Sequence, residues 1–401
     1  MSVSEITGGI TAAEGFTAAG VAAGIKASGA LDITLVVADR PASVAAVFTT
    51  NQVQAAPVLV SREHVARSGG WARAVVVNSG CANACTGAQG LATTRATVAS
   101  VAELVGCPVE QVLVSSTGVI GVHLPLDKVV NGSVAAFAAL SRNGHTAARG
   151  IMTTDMGPKE FAVQVETPAG TFRVGGIAKG AGMIEPMMAT MLAFVTTDAE
   201  VAPALLDRAL REVTDRTFNA ITVDGECSTN DTFVALASGQ SGVAIDDRNY
   251  GALVEGLETV ARALALAIVR GGEGATKLVA VHVTGAESAA DAMRAAKTIA
   301  NSPLVKTAIH GADPNWGRLV SASGRSGARF VLEHARVQVG PIVLFKDGQP
   351  FDDQAPEAAE YLRQAELDVH VDLGTGGVGH AVVWTCDLSA EYVRINGEYR
   401  T

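Results

Sequence analysis

The sequence predicts an α+β fold, layered as an α/β sandwich in two lobes. Helix-like stretches are mixed with strands that follow one another as hairpins, whereas a doubly wound sheet alternates strand and helix. Several strand-like runs are apolar throughout, which is expected of sheets covered on both faces. The chain of 401 residues is 48% hydrophobic and 17% charged, enough to bury a large core. With 43 glycines and 4% aromatic residues, that core is expected to pack by close approach of Ala, Val and Gly.

In chain order, the first strands are expected over 32–37 and 74–78, both rich in β-branched residues. A helix over 93–105, a strand over 112–115 and a helix over 129–140 follow. Strands over 161–165 and 171–176 lie close enough for a hairpin, and 191–196 adds another. Apolar residues at helical spacing predict helices over 203–217 and 250–269. Then come strand 278–284, helix 288–300, strand 336–339, helix 356–365 and strands 368–372 and 381–387. A break between lobes is expected at 198–206. No repeat or low-complexity segment is visible.

Charge and motifs exclude several classes. A net charge of −10 argues against a broad basic surface for nucleic acid. The longest apolar runs, 263–269 and 191–195, fall well short of the roughly 18 residues that a membrane span needs. Glu5 precedes any Lys or Arg, so the start does not read as a secretory leader, and a cytoplasmic location is expected. The cysteines Cys81, Cys85, Cys107, Cys227 and Cys386 are few and odd in number, and they suit buried thiols better than a disulfide framework or a zinc site. The eight histidines form no H-x-x-x-H or H-E-x-x-H pair, so each reads as a surface or satisfied core residue and no metal is expected. The run Gly374-Thr375-Gly376-Gly377-Val378-Gly379 fits a dinucleotide fingerprint, but its continuation His380-Ala381-Val382-Val383-Trp384 is strand-like. A phosphate loop needs a helix there, so a hairpin turn is expected. No phosphate-binding P-loop and no G-x-S-x-G elbow is found.

The most unusual segment is 175–192, where a Gly-rich stretch leads through a Met-rich loop into a strand. Thr190 stands at that junction, a position where Thr is ordinarily just a β-former. The run Lys179-Gly180-Ala181-Gly182-Met183-Ile184-Glu185-Pro186, with Ala189-Thr190-Met191-Leu192, resembles the self-cleavage site of the ornithine acetyltransferase family. That family is also called glutamate N-acetyltransferase, or ArgJ, of arginine biosynthesis. Further blocks are similar to it in order. They are Gly15-Phe16 through Gly24-Ile25-Lys26, residues 78–87 (Asn-Ser-Gly-Cys-Ala-Asn-Ala-Cys-Thr-Gly), residues 115–121 (Ser-Ser-Thr-Gly-Val-Ile-Gly) and Ile151-Met152-Thr153-Thr154-Asp155. Residues 224–232, 272–277, 302–308, 313–318 and the terminal Asn396-Gly397-Glu398-Tyr399-Arg400-Thr401 continue the series. The resemblance spans essentially the whole chain.

The resemblance implies a layered sandwich of the self-cleaving DmpA/ArgJ-like type, cut between Ala189 and Thr190. An α-chain, 1–189, would carry the oxyanion hole, and a β-chain, 190–401, would begin with Thr190 as nucleophile. The Thr190 hydroxyl attacks the Ala189 carbonyl, and hydrolysis of the ester frees an α-amine with a reference pKa of about 7.7–8.0. One residue then supplies both nucleophile and base. The implied oxyanion donors are Thr117 and Gly118, which out of this context read as an ordinary turn. The implied reaction is ping-pong: N²-acetylornithine acetylates Thr190, and glutamate takes the acetyl group. The implied substrate-binding residues are Thr153 or Thr154, Lys179, Thr190, Glu273, Asn396 and Thr401. We assign Lys179 to a substrate carboxylate and Glu273 to the ornithine side-chain ammonium. The tail carrying Asn396 and Thr401 must then be tied down, although chain ends commonly fray. No cofactor is implied; acetyl-CoA is left open as a second donor. The implied assembly is a heterotetramer of two α-chains and two β-chains, with no nucleic-acid or membrane partner. The alternatives are a related self-cleaving aminopeptidase using water as acceptor, a paralogue of secondary metabolism, and a non-catalytic protein of the same fold.

Overall fold

The computed structural model describes residues 1–185 and 191–398. They form two compact units: residues 1–219 with 226–268, and residues 220–225 with 269 onward.

Among the described residues the first unit holds one nine-stranded sheet. Its strands are β1 (Ser2–Glu5), β2 (Phe16–Val21), β3 (Ile33–Phe48), β4 (Trp71–Cys81), β5 (Val112–Val119), β6 (Lys159–Thr167), β7 (Gly170–Lys179), β8 (Leu192–Thr197) and β9 (Thr232–Ala237). The order is β1-β6-β7-β8-β9-β3-β4-β5, with β2 paired to β3. The helices are α1 (Ala56–Arg67), α2 (Gly87–Val105), α3 (Leu126–Ala138), α4 (His145–Gly150), α5 (Pro203–Arg216) and α6 (Tyr250–Arg270), the last reaching into the second unit.

Strand β3 organises this sheet by changing partners. Its first half, Ile33 to Ala38, pairs with β2 and β4, and Ser43 to Phe48 pairs with β9. The register shifts between Val37 and Ala42, where Asp39, Arg40 and Pro41 are exposed. Pro41 has no N–H to donate, so a break in the ladder suits it. Alternate residues of β4 point into different cores. Val76 joins Val60, Val98 and Val101 of α1 and α2, and Val75 and Val77 join Ala147, Ala148 and Phe194. The sheet is thus covered on both faces, as its apolar strands require.

The second unit holds a six-stranded sheet: β10 (Leu278–Ala286), β11 (Arg336–Val339), β12 (Ile342–Lys346), β13 (Gln349–Pro350), β14 (Glu366–Asp372) and β15 (Gly379–Cys386), in the order β13-β12-β11-β14-β10-β15. Its helices are α7 (Ala289–Ala300), α8 (Pro303–His310), α9 (Trp316–Gly324), α10 (Ala355–Tyr361) and α11 (Ala390–Glu398). Val279, Val281 and Val283 of β10, with Val369 and Val371 of β14, pack against Ala292, Ala295 and Ile299 of α7. The intervening residues, among them His282, Thr284, Asp368 and His370, stay partly or fully exposed on the opposite face. Period-two alternation therefore leaves this sheet covered on one side.

The α+β layering is as expected, but two expectations are corrected. Residues 198–206 are not a lobe boundary. Strand β8 runs parallel to β9, and a parallel pair needs a crossover, which α5 supplies within the first unit. That unit therefore takes strands from both sides of residue 190. The glycine run 374–379 is also not a hairpin turn. It leads into a strand as expected, but β14 and β15 flank β10 from opposite sides. A Cβ on Gly377 would lie 2.0 Å from the Ala286 carbonyl oxygen, so close backbone packing accounts for glycine there.

Candidate active site

Lys179 is the last residue of β7 and pairs with Leu192, the first of β8. It is 8% exposed, and its ammonium donates to Thr117 Oγ1 at 3.2 Å. Thr117 lies near the end of β5, opposite Ser79 of the parallel strand β4. Gly118 follows at φ +127°, where a Cβ would lie 2.3 Å from the Gly80 carbonyl carbon, so only glycine fits.

Asp155 gathers the remaining groups of the first unit. Its side chain is fully buried. It accepts from the Gly180 N–H at 2.7 Å, from Lys159 Nζ at 2.5 Å and from the Thr153 N–H at 3.0 Å. These bonds fasten the turn carrying Thr153 and Thr154 to the end of β7. Burial by itself would raise the Asp155 pKa; the Lys179 and Lys159 ammoniums and the Gly180 N–H overcome it and hold it down at about 2. Lys26 adds a further ammonium, donating to the Leu31 and Met152 carbonyls at 2.7 Å each. Burial lowers its pKa against the opposing pull of Asp32 and Asp155, and Lys179 lowers it further. Three ammoniums thus share the field of Asp155, with Asp32 facing Lys26. Such a field suits a small carboxylate ligand.

Ala189 and Thr190 lie outside the described residues. The chain on either side is anchored within the first unit. The Glu185 N–H donates to the Glu226 carbonyl at 2.8 Å, and the Met191 carbonyl accepts from the Thr232 N–H at 3.0 Å. Two residues before Thr232, Asn230 is 5% exposed and its Oδ1 has no hydrogen-bond partner among the described residues. A buried amide oxygen left unpaired is costly and marks a position that a ligand donor could satisfy.

The second unit carries another group. Glu273 is 7% exposed and accepts from Asn396 Nδ2 at 2.8 Å. Asn396 is on α11, which two further bonds fasten: Ser389 Oγ to the Gly274 carbonyl at 2.6 Å, and Tyr392 OH to Asp224 Oδ2 at 3.2 Å. The described part of the tail is therefore tied down. Thr401 lies outside the described residues.

The expected site residues thus fall into two sets. Thr117, Gly118, Thr153, Thr154 and Lys179 gather in the first unit, and Glu273 meets Asn396 in the second. Sequence reasoning missed Lys26, Asp155, Lys159 and Asn230 as site components. Lys26, Asp155 and Asn230 stand inside blocks already singled out, but a buried carboxylate shared by several lysines has no local pattern. Among the described residues no helix is long and apolar enough to cross a membrane.

Comparison with known proteins gives a consistent result. The ArgJ family profile matches residues 17–401. The arginine biosynthesis bifunctional protein ArgJ of Parasynechococcus marenigrum (strain WH8102) is 46% identical over 397 residues, covering 99% of this chain and 96% of that protein. Its namesake in Thermosynechococcus vestitus is 48% identical over 416 residues, with 99% of each covered. The crystal structure of arginine biosynthesis bifunctional protein ArgJ from Bacillus halodurans matches with a TM-score of 0.50 and 43% identity, over 51% of this chain and 98% of that one. The profile spans nearly the whole sequence and the relatives are similar along all of it: this chain belongs to the ArgJ family.

Proposed function

We propose that this protein transfers acetyl from N²-acetylornithine to glutamate through an ester on Thr190, after cutting itself between Ala189 and Thr190. The observation that carries the reading is the meeting of Lys179 and Thr117 at the ends of β7 and β5, next to the strand that Thr190 leads into. The relatives' name, with its reference to arginine biosynthesis, supports it. So does the solved relative, whose chain is covered 98% yet spans only 51% of this one, as a single product of such a cut would.

Maturation begins when Thr190 Oγ attacks the Ala189 carbonyl carbon. The peptide bond becomes an ester, and water hydrolyses it to leave a carboxylate on Ala189 and a free α-amine on Thr190. In the first half-reaction that amine takes the hydroxyl proton as Thr190 Oγ attacks the acetyl carbonyl. The oxyanion is met by the Thr117 hydroxyl and the Gly118 N–H. Since Lys179 donates to Thr117 Oγ1, the hydroxyl hydrogen is left for another acceptor. Collapse expels ornithine, its amine taking the proton. The glutamate amine then attacks the ester and releases N-acetylglutamate. Lys179 binds a substrate carboxylate and Glu273 the ornithine ammonium, and the other substrate-binding residues of this reading are Thr153 or Thr154, Asn396 and Thr401. The residues named need no cofactor. The word bifunctional in the relatives' names supports acetyl-CoA as a second donor. The mature protein is a cytoplasmic heterotetramer of two α-chains and two β-chains.

Mass spectrometry of purified protein, followed by product analysis with acetylornithine and glutamate, tests this. Two fragments joining at Ala189–Thr190, with N-acetylglutamate formed, are expected. Acetate without N-acetylglutamate would point to water as the acceptor. Processing and full activity in Thr190→Ala would overturn the assignment.

A further inference from the structure

We propose that His282, His370 and Asp368 form a binding site for a divalent transition-metal ion of the zinc class, on the open face of the second unit's sheet. Strands β10 and β14 run parallel with His282 directly opposite His370. Asp368 is two residues before His370, so the pleat puts all three on one face. The opposite face of both strands is the apolar core.

The geometry is that of a nearly assembled ligand set. His282 Nε2 and Asp368 Oδ1 are 2.8 Å apart. The two imidazole rings stack with centroids 4.4 Å apart and planes 15° from parallel. One ligand atom from each residue lies within 4.8 Å of the others. Metal–nitrogen and metal–oxygen bonds of about 2.0–2.2 Å bring tetrahedral ligands to roughly 3.3–3.5 Å from one another, so small side-chain rotations close the set. The strand positions permit this. Ala280, directly opposite Asp368, is too small to crowd the carboxylate, and Val382 flanks His282 from β15. On β11, Gln338 opposite His370 donates its amide to the Gly340 carbonyl.

The donor types select the ion. Two imidazoles and a carboxylate suit zinc, cobalt(II) or nickel(II); magnesium and calcium prefer all-oxygen sets. Three protein ligands leave a coordination position for water or a small anion, since Asp368 is exposed and both histidines are partly so. The ion would clip β10 to β14. Neither strand carries a residue assigned to acetyl transfer, so the proposal stands apart from that reading.

The test is calorimetric titration of the purified, chelator-stripped full chain with zinc chloride, with cobalt(II) absorption as a second signal of coordination. A single equivalent of zinc should bind, and magnesium chloride should give no heat. His282→Ala and His370→Ala should abolish binding, and Asp368→Asn should weaken it by about 10–100-fold. Circular dichroism and metal-free thermal midpoints show whether the variants are folded. Should either alanine variant fail to fold, His370→Gln and histidine-ring NMR of the unmodified chain decide instead. Zinc should then move two ring signals among the eight histidines, one of them the signal missing from His370→Gln. Absence of zinc binding, unchanged binding in the folded His282→Ala/His370→Ala variant, or ring shifts confined to other histidines overturns the proposal.

Discussion

Asp155 sets the electrostatics at the end of β7. An unfolded aspartate titrates near 3.8, and in the folded protein the Lys179 and Lys159 ammoniums outweigh burial to hold Asp155 at about 2. The pairing is thus fully stabilising above the first value and is lost as pH falls through the second. The shift corresponds to a loss on the order of 2 kcal/mol, readable as a falling urea midpoint below about pH 4. Asp155→Asn should remove that pH dependence and destabilise the neutral protein by about 3–5 kcal/mol, because it leaves buried lysines without their counter-charge. Thr117 is expected to act on rate. Thr117→Val should keep the fold and lower kcat by about 10²–10³, measured as N-acetylglutamate formed under saturating substrate. An α-amine base also predicts that kcat/KM rises with pH and levels off above about pH 8. A flat profile between about pH 6 and pH 9 would count against Thr190 as its own base.

Strands and helices are held in place by a few close backbone approaches. Gly118 lets β5 run against Gly80 of β4, and Gly274, at φ +69°, lets its loop meet the start of α11. A Cβ on Gly274 would lie 2.5 Å from the Tyr392 backbone nitrogen, which has no room to yield without moving the helix. Gly274→Ala should cost about 1–3 kcal/mol or more and release α11, seen as faster amide exchange over residues 390–398. Exchange unchanged from the parent chain would show that α11 does not depend on this contact. The same scale explains what periodicity missed. Strand β9 has the sequence Thr-Phe-Val-Ala-Leu-Ala, and so short an apolar run is ambiguous between helix and strand. Strand β13 has only two residues, too few for any pattern. Helix α8 announces itself only by its Ser302 cap, whose side chain accepts from Val305, followed by Pro303.

At the scale of the whole molecule, the proposed cut falls between strands that are hydrogen-bonded neighbours. Strand β7 precedes Ala189, β8 follows Thr190, and β8 and β9 lie between β7 and β3. The two fragments would therefore share one sheet and one core. Native mass spectrometry should find them together, and denaturing electrophoresis should separate them. Dissociation under native conditions would contradict that topology. In the second unit's sheet, β11, β14, β10 and β15 were visible as separate runs, whereas the edge pair β13-β12 was not.

What the sequence determined by itself was local and compositional. It marked ten of the strands through apolar runs, six of the helices, the family through ordered blocks, and the groups Thr117-Gly118, Thr153-Thr154, Lys179, Glu273 and Asn396. Only the tertiary structure decided which of these meet. Lys179 reaches Thr117 across 62 positions, Asn396 reaches Glu273 across 123, and His282 finds Asp368 across 86. The physical reason is that periodicity records whether a segment has a buried face. Which distant segment covers that face depends on strand register and close packing, and those contacts leave no trace in the residues on either side of them.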